Sequence, residues 1–395
     1  MKVPSRLPAK GEYSEVARQA RLEFLRSETG VALDCVGTIS FDSERVIHNT
    51  EALIGSVEVP VGIAGPLKIN GLFALGEFYA PLATTEGALV ASVSRGAAAL
   101  TLAGGVNAAF LGQRMMRVPY FELQTLCEAL RFRAFVIDQL PSLQAQVKPL
   151  TQHGTLIAVE PQLIGRIVHV HFMFETGDAA GQNMVTTITW VLSQWLRVQF
   201  HLHTGHVIKH FMIESNLSSD KKASFQSFIQ GRGCRVVADC VLSEAVVRQV
   251  LRTTPQGIVR CYQRGVSGAI AAGMLGINFN IANAIAALFT ATGQDIASVH
   301  ESAIGHLHLE LDADGSLYAA LVLPSLIIGT VGGGTGLPQQ RECLDLLGCA
   351  GMGGKSKLAE IIAGFCLGLE ISLGAALAAD EFASAHEKLG RNRPS

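Results

Sequence analysis

The chain has 395 residues, of which 49% are hydrophobic and 16% charged, and its formal net charge is −2 at pH 7. This length is sufficient for two or three globular domains, and the composition is too apolar for a disordered or fibrous protein. The near-neutral charge provides no basic field to attract nucleic acid or an anionic membrane, so we expect neither as a partner. An anionic ligand would have to be bound by a local cluster of donors.

Two strongly apolar stretches, 266–293 and 361–379, raise the question of a membrane span. The first carries three asparagines and the second carries Glu370 and several glycines, so neither offers about 20 uninterrupted apolar residues. We therefore predict two buried core helices. The N-terminus lacks the apolar core of a secretory signal, and the eight cysteines form no CxxC pair. These features favour a cytoplasmic protein with reduced thiols and no zinc site.

In chain order, helical spacing from Ser14 to Ser27 predicts an N-terminal helical arm within residues 1–50. A strand-and-turn stretch rich in proline and glycine follows over residues 54–73. The sequence Thr-Thr-Glu at 84–86 then leads into a run of small apolar residues. This pattern is typical of a loop that leads into a tightly packed helix.

Residues 114–214 have a different pattern, which predicts strands near 114–118, at 155–162, at 166–174 and at 206–213, with helices over 121–144 and 181–200. The order βαββαβ is that of a ferredoxin-like unit. We therefore predict an α+β fold in which a small ferredoxin-like dinucleotide-binding domain, 114–214, is inserted into a large helix-rich substrate-binding domain. The large domain comprises 51–113 and 215–380. The charged segment 381–395 is expected to form a mobile C-terminal tail.

Four segments carry an ionisable group beside small residues or glycine: Glu86 in ATTEG, the Asp-Lys-Lys run at 220–222, Asp295 in ATGQD, and His386 near the C-terminus. A carboxylate beside a lysine is suited to proton transfer. Each segment alone is more often structural, because glutamate and Asp-Lys-Lys runs are common at helix starts.

Three glycine-rich stretches are candidate phosphate sites. TGDAAGQNM (176–184) ends a strand and opens a helix, where N–H groups can bind a pyrophosphate, although its spacing is not GxGxxG. GTVGGGTG (329–336) is a second candidate, equally consistent with close helix packing. AGMGGKS resembles a P-loop, but Cys349 stands where the first glycine is required, which excludes that motif. The four histidines at 201, 203, 206 and 210 have no adjacent carboxylate or cysteine cluster, so we expect no metal site.

Taken together and in order, these stretches resemble 3-hydroxy-3-methylglutaryl-CoA (HMG-CoA) reductase. The matching segments are EALIGSVEVPVGIAGPL, ATTEGALVAS, TGDAAGQNM, SSDKKAS, ATGQD, GTVGGGTGLPQQ and the late histidine. The resemblance implies the catalytic residues Glu86, Lys221, Asp295 and His386. It implies substrate contacts from Ser92, Arg117, Asp220, Lys222, Arg264 and Asn283. It also implies cofactor contacts from Asp178, Ala179, Ala180, Gly181, Gln182, Asn183 and Met184, to which we add Gly332 and Gly333 of the second glycine-rich stretch.

The resemblance implies two hydride transfers from NADPH or NADH, without a metal, which reduce HMG-CoA to mevalonate and CoA. Lys221 would stabilise the oxyanion, Glu86 would be a protonated acid that delivers its proton to the oxygen, and Asp295 would couple to both. His386 would protonate the CoA thiolate, and the tail bearing Lys388, Arg391 and Arg393 could close over CoA. The resemblance also implies a homo-oligomer with its active site at a dimer interface.

Two departures from the animal and plant members bear on the cofactor and the source. The chain reads DAAGQNM instead of DAMGMNM, and IASVHES instead of PAQN after the GQD motif. These changes, with no animal-type membrane anchor, indicate a soluble bacterial or archaeal form. The choice between NADH and NADPH stays open, although Glu175 would favour NADH if it faces the ribose.

Two alternatives come from other classes. An acyl-CoA transferase or thioester dehydrogenase would need an activated cysteine beside a base, and Cys234, Cys240 and Cys343 have no evident partner in the sequence. A retired paralogue would bind CoA or nucleotide without turnover. The intact set of Glu86, Lys221, Asp295 and His386 argues against the second alternative.

Overall fold

The structure is a computed structural model that describes residues 6–380. The expected tail, 381–395, and with it His386, lies outside the described residues. The helices in the described part are α1 (Glu15–Thr29), α2 (Leu89–Leu102), α3 (Leu126–Asp138), α4 (Leu140–Val147), α5 (Gln182–Thr204), α6 (Phe225–Gln230), α7 (Glu244–Val246), α8 (Pro255–Ala271), α9 (Ile281–Thr292), α10 (Val299–Ser302), α11 (Pro338–Leu346) and α12 (Lys355–Ala378).

The strands are β1 (Val61–Gly71), β2 (Leu75–Ala83), β3 (Val106–Arg117), β4 (Tyr120–Glu122), β5 (Thr155–Ile164), β6 (Ile167–Glu175), β7 (His210–Met212), β8 (Gly233–Leu242), β9 (His306–Leu311) and β10 (Leu317–Leu326). They join in the order β7-β4-β6-β3-β8-β10-β9, with β5 on β6 and with β1 pairing both β2 and β3. The mixed helix and sheet content confirms the coarse fold prediction.

Strand β3 belongs to both halves of the sheet. Its residues 107–114 pair antiparallel with β8, and its last three residues, 115–117, pair with β6. A bulge interrupts the β8 ladder between Phe110 and Gly112, and Gly112 has a φ of 134°. Glycine suits this position because a Cβ would disfavour that backbone conformation.

Two hydrophobic cores lie on either side of this junction. The first is built from residues 64–108 and 234–375, and the second from residues 115–208 together with Ile327. The second core contains β5, β6 and the inner face of α5, with Phe121, Phe132 and Phe200 fully buried at its centre. The boundary between the two cores therefore falls within β3, close to the predicted start of the small domain.

Helix α12 is the centre of the first core and is buried along most of its length. Its length and apolarity would allow a membrane crossing by composition alone, but 83% of the relevant window is buried inside the protein. A Cβ at Gly96 of α2 would lie 1.9 Å from the carbonyl oxygen of Gly368, so the two backbones are in direct contact. The prediction of a buried core helix over 361–379 is confirmed.

The prediction of one helix over 266–293 is wrong. Helix α8 ends at Ala271 and α9 begins at Ile281, and Gly273 and Gly276 between them adopt positive φ. Asn278 in this connection donates a hydrogen bond to the carbonyl oxygen of Gly305 at 3.2 Å. Left-handed glycines end helices readily, and the asparagine gives the connecting loop a partner of its own.

The N-terminal helix prediction is confirmed, since the hydroxyl of Ser14 caps α1 by accepting the N–H of Ala17 at 3.3 Å. The long helix predicted over 121–144 is wrong. Residues 120–122 form β4, and α3 and α4 meet at Gln139 with Pro141 in the first turn of α4. Proline lacks an N–H and is tolerated at the start of a helix, so it favours a break at this point. The last predicted strand, 206–213, shrinks to the three residues of β7.

Candidate active site

The carboxylate of Glu86 lies against the first turn of α9. Glu86 occupies the loop between β2 and α2, where its N–H donates to the hydroxyl of Thr84 at 3.0 Å. Its Oε1 accepts a hydrogen bond from Nδ2 of Asn283 at 2.8 Å. The structure therefore brings together a predicted catalytic residue and a predicted substrate-binding residue whose sequence positions are 197 apart.

A buried carboxylate from α12 holds the start of α9 in place. The two oxygens of Glu370 accept the N–H groups of Phe279 and Asn280 at 2.5 and 2.6 Å. These donors lie at the N-terminal end of α9, where N–H groups lack partners within the helix. Burial raises the pKa of Glu370 to about 7, although the two hydrogen bonds act in the opposite direction.

Two further residues predicted to be catalytic, Lys221 and Asp295, form an ion pair in which the Nζ and Oδ2 atoms are 2.9 Å apart. Asp295 caps a short 3-10 turn, because its Oδ1 accepts the N–H of Ala297 at 3.1 Å. The preceding Gln294 is buried and binds both the N–H and the carbonyl oxygen of Gly329. The side chain of Lys221 is 44% exposed and that of Asp295 33%, so the pair faces the surface of the single chain.

A buried ionic network lies beneath Lys221. Arg117 contacts Glu214 at 2.6 Å and Asp220 at 3.3 Å, and Arg232 contacts Glu301 at 2.5 Å. Arg232 and Glu301 have no solvent exposure. An ion pair removed from water in this way is costly to break from one side, because a buried charge would be left without its counter-charge.

Other substrate-binding predictions fall around these groups. Nζ of Lys222 donates to the carbonyl oxygen of Asp220 at 3.1 Å. The hydroxyl of Ser92 lies 2.9 Å from that of Ser372, at the contact between α2 and α12. Arg264 is exposed on α8 and belongs to neither of the two pairs described above.

Within one chain, the Glu86–Asn283 and Lys221–Asp295 pairs lie at opposite ends of α9. Asn283 is in its first turn, and Asp295 follows its C-terminal end by three residues. With a rise of roughly 1.5 Å per residue, the backbone of Asn283 is about 13 Å from the last residue of the helix. Within residues 6–380 of a single chain, Glu86 forms no hydrogen bond or ion pair with Lys221 or Asp295.

The predicted dinucleotide motif packs against the second glycine-rich stretch. The N–H of Thr330 donates to the carbonyl oxygen of Asp178 at 2.8 Å, and Ala179 forms a parallel bridge with Val331. A Cβ at Gly329 would lie 2.6 Å from the backbone nitrogen of Ala180. Glycine is required there because the two backbones approach so closely. The neighbouring Gly332 and Gly333 have φ values of 76° and 57°.

Helix α5 begins inside this motif with Gly181 at its N-cap, where φ is 89°. In the described part of the chain, no side chain caps this helix start. Its first N–H groups, from Gln182, Asn183 and Met184, can therefore bind an anion such as a pyrophosphate. The sulfur of Met184 accepts a hydrogen bond from the hydroxyl of Thr151 at 3.2 Å.

The start of α12, which resembled a P-loop, is already capped. The carboxylate of Asp178 accepts the N–H groups of Gly353 and Lys355 at 2.8 and 3.2 Å. The ammonium of Lys355 is buried and donates to Gln113, to Thr176 and to the carbonyl oxygen of Ala179. Burial lowers its pKa. A lysine with three protein acceptors has no donor left for a phosphate, so rejecting the P-loop is consistent with the structure.

The cysteines of the alternative mechanism are poor nucleophiles. Burial raises the pKa of Cys234 and of Cys343, and it raises that of Cys240 to about 12. A thiol attacks as its thiolate, so these shifts work against covalent catalysis. Within residues 6–380, no group of three histidine, cysteine or acidic side chains is arranged to hold a metal ion. Glu175 is exposed at the end of β6, opposite Thr155.

Three charged residues that support the site were not predicted from the sequence: Arg232, Glu301 and Glu370. A glutamate within an apolar helix, as Glu370 is, signals a buried acceptor role because a carboxylate is rarely buried without partners. Glu301 lies in the IASVHES segment, which differs from the animal and plant pattern. No sequence pattern pairs it with Arg232, 69 residues away.

The comparisons with known proteins agree with one another. The family model described as "Hydroxymethylglutaryl-coenzyme A reductase" matches residues 17–391. Proteins named 3-hydroxy-3-methylglutaryl-coenzyme A reductase from Pyrococcus horikoshii and Aeropyrum pernix are 42% and 44% identical, over 95% and 96% of this chain and 92% and 91% of theirs. The Zea mays protein of that name is 37% identical over 99% of this chain and 68% of its own.

A solved structure has a similar fold. The class II 3-hydroxy-3-methylglutaryl-CoA reductase from Streptococcus pneumoniae bound to NADPH has a TM-score of 0.68. The match covers 91% of this chain and 96% of that one at 20% identity, so it supports the fold alone. The family match spans most of the chain, and the archaeal relatives match over nearly their whole length. On this evidence the chain belongs to the hydroxymethylglutaryl-coenzyme A reductase family.

Proposed function

We propose that this protein is an oxidoreductase that reduces HMG-CoA to mevalonate and CoA with two molecules of NADPH or NADH. The observation that carries the proposal is the family match over residues 17–391. The contacts Lys221–Asp295 and Glu86–Asn283 support it, because they hold in place an ammonium and two carboxylates of the kind that such acid–base chemistry needs. The relatives' names favour this function over a retired paralogue. We also propose a cytoplasmic location.

The two cores support a division into domains. We propose a large substrate-binding domain, 51–113 and 215–380, and an inserted ferredoxin-like dinucleotide-binding domain, 114–214. Residues 1–50 would be an N-terminal arm, and 381–395 a mobile tail. In favour of the insertion, the second core lies almost entirely within residues 115–208, and its strands join in the order β7-β4-β6-β5. This is the strand order of a ferredoxin-like sheet.

We propose that the cofactor binds at the start of α5, across the motif from Asp178 to Met184, with Gly332 and Gly333 beside it. The uncapped N–H groups of Gln182, Asn183 and Met184 suit a pyrophosphate. The Streptococcus pneumoniae relative is bound to NADPH. Each bound NADPH or NADH would supply one hydride, the first to the thioester carbon and, after cofactor exchange, the second to the aldehyde left when the CoA thiolate departs.

The acid–base steps follow from the side chains. The ammonium of Lys221 would stabilise the negative charge that develops on the carbonyl oxygen, and Glu86 would deliver a proton to it. Asp295, 2.9 Å from Lys221, would orient the ammonium. His386, outside the described residues, would protonate the CoA thiolate. The cations Arg117, Lys222 and Arg264, with Ser92, Asp220 and Asn283, would bind the substrate.

We further propose that the complete site forms between two copies of the chain. Glu86 and Asn283 of one protomer would face Lys221 and Asp295 of its partner. The separation of the two pairs along α9 supports this arrangement, as do the exposure of Glu86 and Lys221 and the partial exposure of Asn283 and Asp295. A twofold dimer would contain two such sites.

Purified protein tests the function directly. With HMG-CoA present, it should oxidise NADPH or NADH, with two cofactor molecules consumed for each CoA released. Parallel assays with both nicotinamides decide the preference. Lys221→Ala should abolish turnover while leaving the folded structure intact. No oxidation of either cofactor, in protein shown to be folded and dimeric, would contradict the proposal.

A further inference from the structure

The backbone of Lys221 is held in an unfavourable conformation. Its φ is 58°, and Ser219 two residues earlier has a φ of 57°. A residue with a Cβ in the left-handed region costs about 1 kcal/mol, so surrounding contacts must hold it there. One such contact is direct, because the N–H of Lys221 donates to Oε1 of Glu301 at 3.1 Å.

Glu301 is itself anchored from the other side. It lies on α10 with no solvent exposure, and the same Oε1 accepts a hydrogen bond from Nη1 of Arg232 at 2.5 Å. Nη2 of Arg232 is 2.8 Å from Oδ1 of Asp220, an ion-pair distance without the alignment of a hydrogen bond. Within residues 6–380, Oε2 of Glu301 has no hydrogen-bond partner. The same oxygen of this carboxylate, Oε1, therefore accepts hydrogen bonds from both the guanidinium of Arg232 and the backbone N–H of Lys221.

We propose that Glu301 is a positioning residue for Lys221: it holds the backbone N–H of Lys221 and so fixes where the ammonium stands beside Asp295. This inference rests on the proposed function, in which Lys221 stabilises the oxyanion. Glu301 acts through Lys221 and does not touch the substrate. If the loop relaxed, the ammonium would shift, and a misplacement of about 1 Å can lower a rate about 100-fold.

The pKa of Glu301 is subject to opposing influences. Burial raises the pKa of Glu301 to about 7, while Arg232 and the N–H of Lys221 act in the opposite direction. Arg232 contacts Glu301 directly, and a chain of ion pairs continues from it through Asp220 and Arg117 to Glu214. The Lys221–Asp295 pair is linked to Glu301 through the N–H of Lys221.

Two variants of Glu301 separate the effect of side-chain length from the effect of its charge. Glu301→Asp keeps the charge for Arg232, but its side chain is one methylene shorter and cannot span the same distance to Lys221. Glu301→Gln loses the charge, but it keeps an oxygen of the right reach, and its amide nitrogen occupies the site of the unpartnered Oε2. Positioning predicts that kcat falls about 10- to 100-fold in Glu301→Asp and stays near wild type in Glu301→Gln.

The KM for HMG-CoA should change little in either variant, since Lys221 acts mainly on charge that develops in the transition state. Glu360→Asp is the matched control. Glu360 is also buried and accepts the N–H groups of Phe73, Ala74 and Phe110, so shortening it should lower stability and leave kcat unchanged.

A readout without turnover keeps this inference separate from the proposed function. Amide hydrogen exchange at Lys221, followed on a peptide covering 219–223, should accelerate at least about tenfold in Glu301→Asp and not in Glu301→Gln. If the wild type does not reduce HMG-CoA, the proposed function fails and the exchange rates still decide the contact. The inference is overturned if kcat and exchange in Glu301→Asp match the wild type. It is also overturned if Glu301→Gln loses as much activity as Glu301→Asp.

Discussion

The side-chain amide of Gln182 donates a hydrogen bond to the hydroxyl of Ser298 at 3.0 Å. Gln182 belongs to the DAAGQNM stretch and Ser298 to the IASVHES stretch, the two places noted above as departures from the animal and plant members. The departures are therefore in contact, and they join the first turn of α5 to the segment that follows Asp295.

We predict that this contact couples the proposed cofactor site to the Asp295 segment. Gln182→Ala and Ser298→Ala should each lower the free energy of unfolding by about 1 kcal/mol, because each leaves a polar partner unpaired. In a double-mutant cycle on NADPH or NADH affinity, the two changes should be non-additive by about 0.5 kcal/mol or more. Calorimetric titration of the four proteins measures it, and strictly additive effects would show that the contact carries no coupling.

A site shared between protomers predicts complementation between two inactive variants. Glu86→Gln and Lys221→Ala should each be inactive as homodimers. In an equal mixture that has exchanged subunits, each mixed dimer keeps one site with both native residues, so about one quarter of wild-type activity should return. The control is a mixture of Lys221→Ala with Asp295→Ala, whose changes fall on the same half of the site. If the first mixture stays inactive after proven exchange, the site is not shared in this way.

Glu370 should make stability depend on pH. Its pKa is raised to about 7, so the folded protein holds this proton more tightly than the unfolded chain does. The stabilisation is complete below about pH 4.5 and is lost as pH rises through about 7, a change of about 3 kcal/mol for a fully buried group. Glu301 acts in the same direction.

Urea unfolding at pH 5 and pH 8 measures this difference. Glu370→Gln should be less stable than the wild type at pH 5, because its amide nitrogen meets a backbone N–H of Phe279 or Asn280. It should also lose part of the difference between the two pH values, and Glu301 accounts for the remainder. An unchanged pH difference in the variant would rule out Glu370 as a titrating group.

Substitutions at Asp178 and Asn183 should affect different properties, the first the stability of the fold and the second the affinity for the cofactor. Asp178→Asn places an amide nitrogen against the N–H groups that cap α12, so the free energy of unfolding should fall by about 1–2 kcal/mol. Asn183→Ala, at the exposed first turn of α5, should leave stability nearly unchanged and weaken nicotinamide binding. Thermal unfolding and calorimetric titration test the pair. A reversed pattern would mean that the carboxylate of Asp178 serves the cofactor and not the helix.

Features that depend on neighbouring residues were predictable from the sequence. The helical spacing from Ser14 to Ser27 predicted α1, and the apolar runs of β5 and β6 formed strands. The motif order identified the segments that carry Glu86, Lys221 and Asp295. In the structure Lys221 contacts Asp295, and Glu86 contacts Asn283, a residue predicted to bind substrate.

Features that depend on distant residues were not predictable. The α8–α9 break was missed because apolar composition alone does not distinguish one long helix from two helices joined by left-handed glycines. The pairing of Arg232 with Glu301 was missed because a buried ion pair is set by tertiary packing. The network beneath Lys221 has no periodic signature, since its members come from β3, the loop before α6, the turn before β8 and α10.

Strand β3 has a mechanical consequence for the molecule. It passes through both cores as one continuous strand, so the two halves are not connected at this point by a flexible linker. Any displacement of one half against the other must twist this shared strand. The bulge at 110–112, with its single glycine, is the point at which such torsion is most easily absorbed. Stiffening that point would restrain the motion without altering either half.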